Sequence, residues 1–232
     1  MDEHDILKEA QEIDLELQKE GIPKKRSKWP FILIGVLLAI IIALYVIPYH
    51  AIPLNPEPQN IPTIIQALAP GIESVLEPKK EIKGIEDIKG LINPTDHYIK
   101  FTADRIASQS CKEDTICYAK AMYYFIRDNF QYIPDPLNQE YLEDPKEFLV
   151  AGGGDCESGS IALASLEEAV GVDAQLVLIS NHMYIRISLP DAPSTYQNDG
   201  WIYLDWTCKE CSFGEIPWQN WKEEKIKILE VP

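Results

Sequence analysis

The stretch AGGGDCESGSIALASLEEAVGV, Ala151 to Val172, decides how this chain is read. Gly152, Gly153 and Gly154 allow a close backbone approach that side chains would block. Asp155 is a suitable N-cap, and the apolar pattern after Cys156 is helical up to Gly171, a natural stop. Cys156 therefore opens a helix. Unpaired N–H groups and the helix dipole place partial positive charge there, and this favours the thiolate, the reactive form of cysteine. Ser158, Gly159 and Ser160 are small, which is expected to leave room for a substrate.

After Gly171 the hydrophobic period changes from 3.6 to 2. AQLVLIS is a strand-type run. In HMYIRISL, His182, Tyr184, Arg186 and Ser188 point one way and Met183, Ile185, Ile187 and Leu189 the other. WIYLDW alternates again, with Trp201, Tyr203 and Asp205 opposite Ile202, Leu204 and Trp206. An antiparallel hairpin of these two runs would bring His182, at the start of one, beside Asp205, at the end of the other. The remaining histidines suit a site less well. His4 and His50 precede or border an apolar run, and His97 precedes the first clear helix, EDTICYAKAMYYFIRDNFQYI, in which Tyr118, Met122 and Phe125 share a face. Cys156, His182 and Asp205 thus form a candidate triad of nucleophile, general acid/base and orienting carboxylate. Taken singly, each has a plainer reading as a buried thiol, a surface strand histidine or a turn-capping aspartate.

The order of these motifs resembles the transglutaminase-like superfamily. The resemblance covers about residues 113 to 210 and rests on NFQYIPDP, GGGDCESGSIALASLEEAVGVDAQLVLI, HMY and WIYLDWT. Two departures are Met183, where the family often has Ala or Val, and Trp206, where it commonly has proline. The resemblance implies an α+β, papain-like core with the nucleophile helix packed on an antiparallel sheet. It also implies catalysis through a thioester on Cys156, with His182 as acid/base and Asp205 holding the imidazole tautomer. The acyl group would then pass to water or, as a cross-linking acyltransferase, to an amine; hydrolysis of a protein or peptide amide is the expected outcome, and no cofactor or metal is expected. The backbone N–H of Cys156 would serve the oxyanion. Tyr132 is a second candidate there, although it reads more naturally as a core tyrosine. A non-catalytic binding or scaffold module of the same fold is the competing reading. A redox role for Cys208 and Cys211 is weaker, because their C-x-x-C does not open a helix.

Ahead of this domain, Trp29 to Tyr49 carries no charge and is long enough to cross about 30 Å of hydrocarbon. Aromatic residues stand at both ends, and the basic run KKRSK precedes it. The positive-inside rule then places the N-terminus in the cytoplasm and the C-terminal bulk outside, as a single-pass membrane protein; within the superfamily the resemblance is to the membrane-anchored prokaryotic or archaeal type. A cleaved signal peptide would have a shorter apolar core. Residues 1–28 are expected to form a tail with a short amphipathic helix along Ile6, Ala10, Ile13 and Leu17, ending near Gly21. Residues 50–96 read as a Pro-rich extended spacer with short helices, and 97–232 as the folded domain. Outside the membrane, two disulfides among Cys111, Cys117, Cys208 and Cys211 are expected, leaving Cys156 free; the local pairs Cys111 with Cys117 and Cys208 with Cys211 are the simplest, the sequence does not fix the connectivity, and a four-cysteine zinc site is the rival. The net charge of -16 argues against a nucleic-acid partner.

Overall fold

A computed structural model describes residues 3–20, 28–76, 85–136, 141–225 and 227–231. The chain divides into two units, Met1–His50 and Ala51–Pro232. The first contains α1 (Glu3–Glu20), with Ile6 and Ile13 at least half exposed, and most of α2 (Trp29–Leu54). Within α2, Trp29–Val46 has a mean hydropathy of 2.7 and is long and apolar enough to cross a membrane. Gly21 and the basic residues 24–26, which carry the topology expectation, lie outside the described residues.

In the second unit α3 (Ile64–Ala67), a 3-10 turn (Ile72–Val75), α4 (Ile85–Lys89), α5 (His97–Ser110) and α6 (Thr115–Asn129) lead to β1 (Gln131–Tyr132). Then follow α7 (Pro145–Ala151), β2 (Gly153–Gly154), α8 (Cys156–Ala169), β3 (Asp173–Ile179) and β4 (His182–Ser188). β5 (Ile202–Leu204), α9 (Trp218–Lys222) and β6 (Lys227–Glu230) complete the chain. The main sheet is antiparallel in the order β5-β4-β3-β6, and β1 pairs with β2 in parallel. One face of α8 meets β3 and β4, while α5, α6 and α7 pack around the rest of it. Hence nearly every residue of α8 is buried, as its continuous small and apolar run requires.

The Pro-rich region differs from the extended spacer expected of it. Ala67, Ala69 and Ile72 are buried in the main core. Gln59 donates its backbone N–H to Ser110 O at 2.8 Å, and Asn129 Nδ2 donates to Pro62 O at 3.2 Å. Lys120, fully buried on α6, donates to Asn55 Oδ1 at 2.6 Å and Glu57 Oε1 at 2.5 Å, with the Tyr196 ring beneath its ammonium. A buried ammonium needs such partners, so the stretch after α2 completes the core. α5 also stands where no clear helix was expected. Asp96 caps it by accepting from Tyr98 and Ile99, and His97 is its first residue.

Along α6, Met122 and Phe125 are buried as expected, but Tyr118 is only half-buried, because the buried face runs through Cys117, Ala121 and Ile126. The strand alternation holds, with Ile185 facing Leu204 and Ile187 facing Ile202. Met183, Ile185 and Ile187 enter the main core. The opposite, more polar face is covered as well. There Val177, Ile179, Tyr184, Tyr203 and Ile216 form a second small core, joined by Trp201 and Trp221. Disulfides join Cys111 to Cys117 and Cys208 to Cys211, so these four sulfurs are not available to zinc, and Cys156 is free.

Candidate active site

The turn into α8 is built by its glycines. Gly152 adopts φ 76, the left-handed conformation that ends α7. Gly153 passes so close to Gln131 O that a Cβ would collide with it. Asp155 then caps α8, accepting from Ser158 N at 2.8 Å. Cys156 follows as the first helical residue, 5% exposed.

The small residues behind the thiol serve packing. A Cβ on Gly159 would strike the Trp206 indole. Ser158 Oγ accepts from Glu143 N at 3.1 Å, and Ser160 Oγ donates to Met183 O at 3.1 Å. The expected room for substrate is therefore taken up. Trp206 is fully buried, stands edge-on to Phe148 at 5.4 Å and directs Nε1 at Cys156 O, 3.4 Å away. Its size matches the absent side chain of Gly159.

The β4–β5 hairpin puts His182 and Asp205 on one face. His182 Nε2 lies 2.8 Å from Asp205 Oδ2. Asp205 is fully buried. Its Oδ1 accepts from Thr207 N at 3.1 Å and from Thr207 Oγ1 at 2.7 Å, and Asn220 Nδ2 donates to Oδ2 at 3.0 Å. With Nε2 held by the carboxylate, Nδ1 is the ring nitrogen left for proton transfer.

Cys156 is placed differently from the other two. Its Sγ donates to Glu157 Oε2 at 2.8 Å and meets the backbone N–H of Met183, the residue after His182. Among the described residues no hydrogen bond joins Sγ to the imidazole. Burial, above all, and then the Glu157 carboxylate push the thiol up to about 12, while the Met183 N–H pulls the other way. The lowering expected from the helix start is thus opposed by an adjacent anion. Burial likewise pushes Asp155 up to about 7, with Glu157 adding repulsion. Tyr132, read as a core tyrosine, is 49% exposed with its ring 6.4 Å from Trp206. Burial of part of its ring and the negative groups around Cys156 raise its phenol.

A family model matches part of the chain. Residues 101–206 match the transglutaminase-like superfamily. This chain carries a transglutaminase-like core. Solved structures similar to it include Legionella pneumophila LapG, at 19% identity over 66% of this chain and 87% of that one, with a TM-score of 0.42. The calcium-bound form of LapG is similar at 20% identity over 64% and 84%, with a TM-score of 0.41. None of the curated proteins matches the chain. The transglutaminase-like match ends at Trp206. Thr207 and Asn220, both donors to Asp205, lie beyond it, and Asn220 had no signal in the sequence because WQNWK shows no motif.

Proposed function

We propose that this protein is a membrane-anchored, transglutaminase-like cysteine hydrolase that cleaves amide bonds of proteins or peptides outside the membrane. Cys156 is the nucleophile, His182 the general acid/base and Asp205 the orienting carboxylate. The observation that carries this reading is the 2.8 Å pair of His182 Nε2 and the buried, fully hydrogen-bonded Asp205, together with Cys156, a thiol outside the disulfides that opens a helix.

In the first half-reaction Sγ attacks the carbonyl carbon while its proton passes to His182 Nδ1. The carbonyl π electrons move to oxygen, which the Cys156 backbone N–H faces. The C–N bond then breaks, and the amine departs with the proton from His182. In the second half, His182 takes a proton from water as the hydroxyl attacks the thioester carbon. The C–S bond breaks, and the proton returns to Sγ. Before the first attack Sγ must exchange Glu157 for the imidazole. Domains follow the same reading, with residues 1–28 cytoplasmic, 29–49 spanning the membrane and the remainder outside; the basic run before Trp29 and the uncharged stretch that follows support that direction.

A non-catalytic binding module is the second reading, favoured by the thiol's bond to Glu157. Iodoacetamide labelling of the full chain in detergent, followed by mass spectrometry of each cysteine, separates the two. With Glu157→Gln, Cys156 is expected to label faster at pH 7 than the same thiol in urea, and His182→Ala should remove that advantage. Equal rates with and without His182 would leave the binding module standing.

A further inference from the structure

Among the described residues the carboxylate of Asp205 has three hydrogen-bonding partners, and two of them come from its own neighbourhood. Thr207 belongs to the same turn, and His182 to the neighbouring strand. The third comes from a separate element. Asn220 sits on α9, whose backbone is closed by Asn220 N donating to Pro217 O at 2.9 Å. The neighbouring Trp221 stands edge-on to Tyr203 at 5.1 Å and joins the second small core. This packing presents the Asn220 amide to Oδ2, the oxygen that already holds His182 Nε2.

Only the NH₂ end of that amide can face a carboxylate acceptor, so its orientation is set by chemistry. With both donors in place, Oδ2 is fixed between Nε2 and Nδ2, and Thr207 fixes Oδ1. A carboxylate held at both oxygens presents one direction to the imidazole, and a misdirected acceptor would let the ring turn or change tautomer. We propose that Asn220 is a positioning residue for the triad, acting on His182 through Asp205. The segment after the family match is then part of the catalytic machinery of this chain and not a trailing cap. This inference rests on the proposed cysteine chemistry, because its kinetic consequence passes through Cys156.

The decisive variant is Asn220→Asp. It keeps size and shape, removes the donor and sets one carboxylate against another. In the Glu157→Gln full chain, N220D should lower the His182-dependent labelling of Cys156 at pH 7 by about 10-fold, the usual loss when a supporting hydrogen bond is removed. The ratio to the unmodified position should recover as pH falls below about 6, because carboxyls that share a site hold a proton between them, and the protonated form can donate. Asn220→Ala should show the loss without that recovery. If the role were packing alone, N220D would label at the parent rate at every pH, and that result overturns the inference. A second measurement stands independently of thiol reactivity. In ¹⁵N-histidine-labelled protein, with His182→Ala used for assignment, the Nε2–H proton of His182 should resonate downfield in the parent and broaden or move in N220D at pH 7. An unchanged signal would also overturn the proposal. An inert Cys156 with a displaced signal would sink the hydrolase reading and leave the positioning intact.

Discussion

The two ends of α8 each bury an ionisable group, and they differ in what surrounds it. At the first residue, Cys156 touches Glu157 and Met183, one residue from the His182–Asp205 pair. Near the last turn, Glu167 is fully buried, and neither of its carboxyl oxygens has a hydrogen-bond partner among the described residues. Burial pushes both groups up, strongly in the case of Glu167. Desolvation is common to both ends and so cannot by itself mark a site. What separates them is the set of polar partners drawn from different elements. The Cys156 end has such a set, and the Glu167 end has a carboxyl without hydrogen-bond partners among the described residues.

The largest expected effects break the first end. Cys156→Ala should abolish amide hydrolysis, and Asp205→Asn should reduce it by about 10⁴, because the imidazole then loses its tautomer partner. Turnover comparable to the parent in either variant, measured by product release from a peptide substrate, would refute the triad. Gly159→Ala probes the middle of the helix. Its Cβ would meet the Trp206 indole, and overpacking of this kind costs about 1–3 kcal/mol, read as a lower urea midpoint. A midpoint like that of the parent would mean that Trp206 can move aside.

Glu157→Gln sharpens the contrast by removing a negative neighbour from the thiol. The pH midpoint of Cys156 alkylation should move down from about 12, and each unit gives about 10-fold more thiolate at pH 7. A midpoint unchanged by this substitution would assign the whole effect to burial. The smallest effect belongs to the far end. Glu167 is raised in the folded state, so the fold binds its proton more tightly than the unfolded chain does. Its contribution is therefore full below the unfolded value and is lost as pH rises towards the folded one. Glu167→Leu removes the unpaired carboxyl and should stabilise by about 1 kcal/mol at pH 8, with less gain at pH 4. Equal gains at both pH values, by urea melts, would show that Glu167 titrates normally.

Much of the site was legible because its signals are local. The glycines, Asp155 and Cys156 fall within one turn of chain, and strand alternation is enough to set His182 and Asp205 on one face of a hairpin. The cysteine pairs are local too, within α5–α6 and within one turn. Tyr132 was misread because a short β-run shows no periodicity, so its exposure depended on β2 pairing beside it. The stretch from Asn55 to Ile72 was misread for a related reason. Its prolines describe a backbone without regular hydrogen bonding, but they are silent on whether a buried lysine elsewhere needs its carbonyl and carboxylate groups.

The sequence by itself determined the apolar helix, the helix-opening thiol, the paired strands and the transglutaminase-like resemblance, because each is written in periodicity or in residues a few positions apart. Tertiary structure alone decided that Trp206 fills the gap over Gly159, that Glu157 occupies the thiol and that Asn220 reaches Asp205. Those contacts depend on side-chain direction or on elements brought together only by folding, and neither has a period that a linear chain can display.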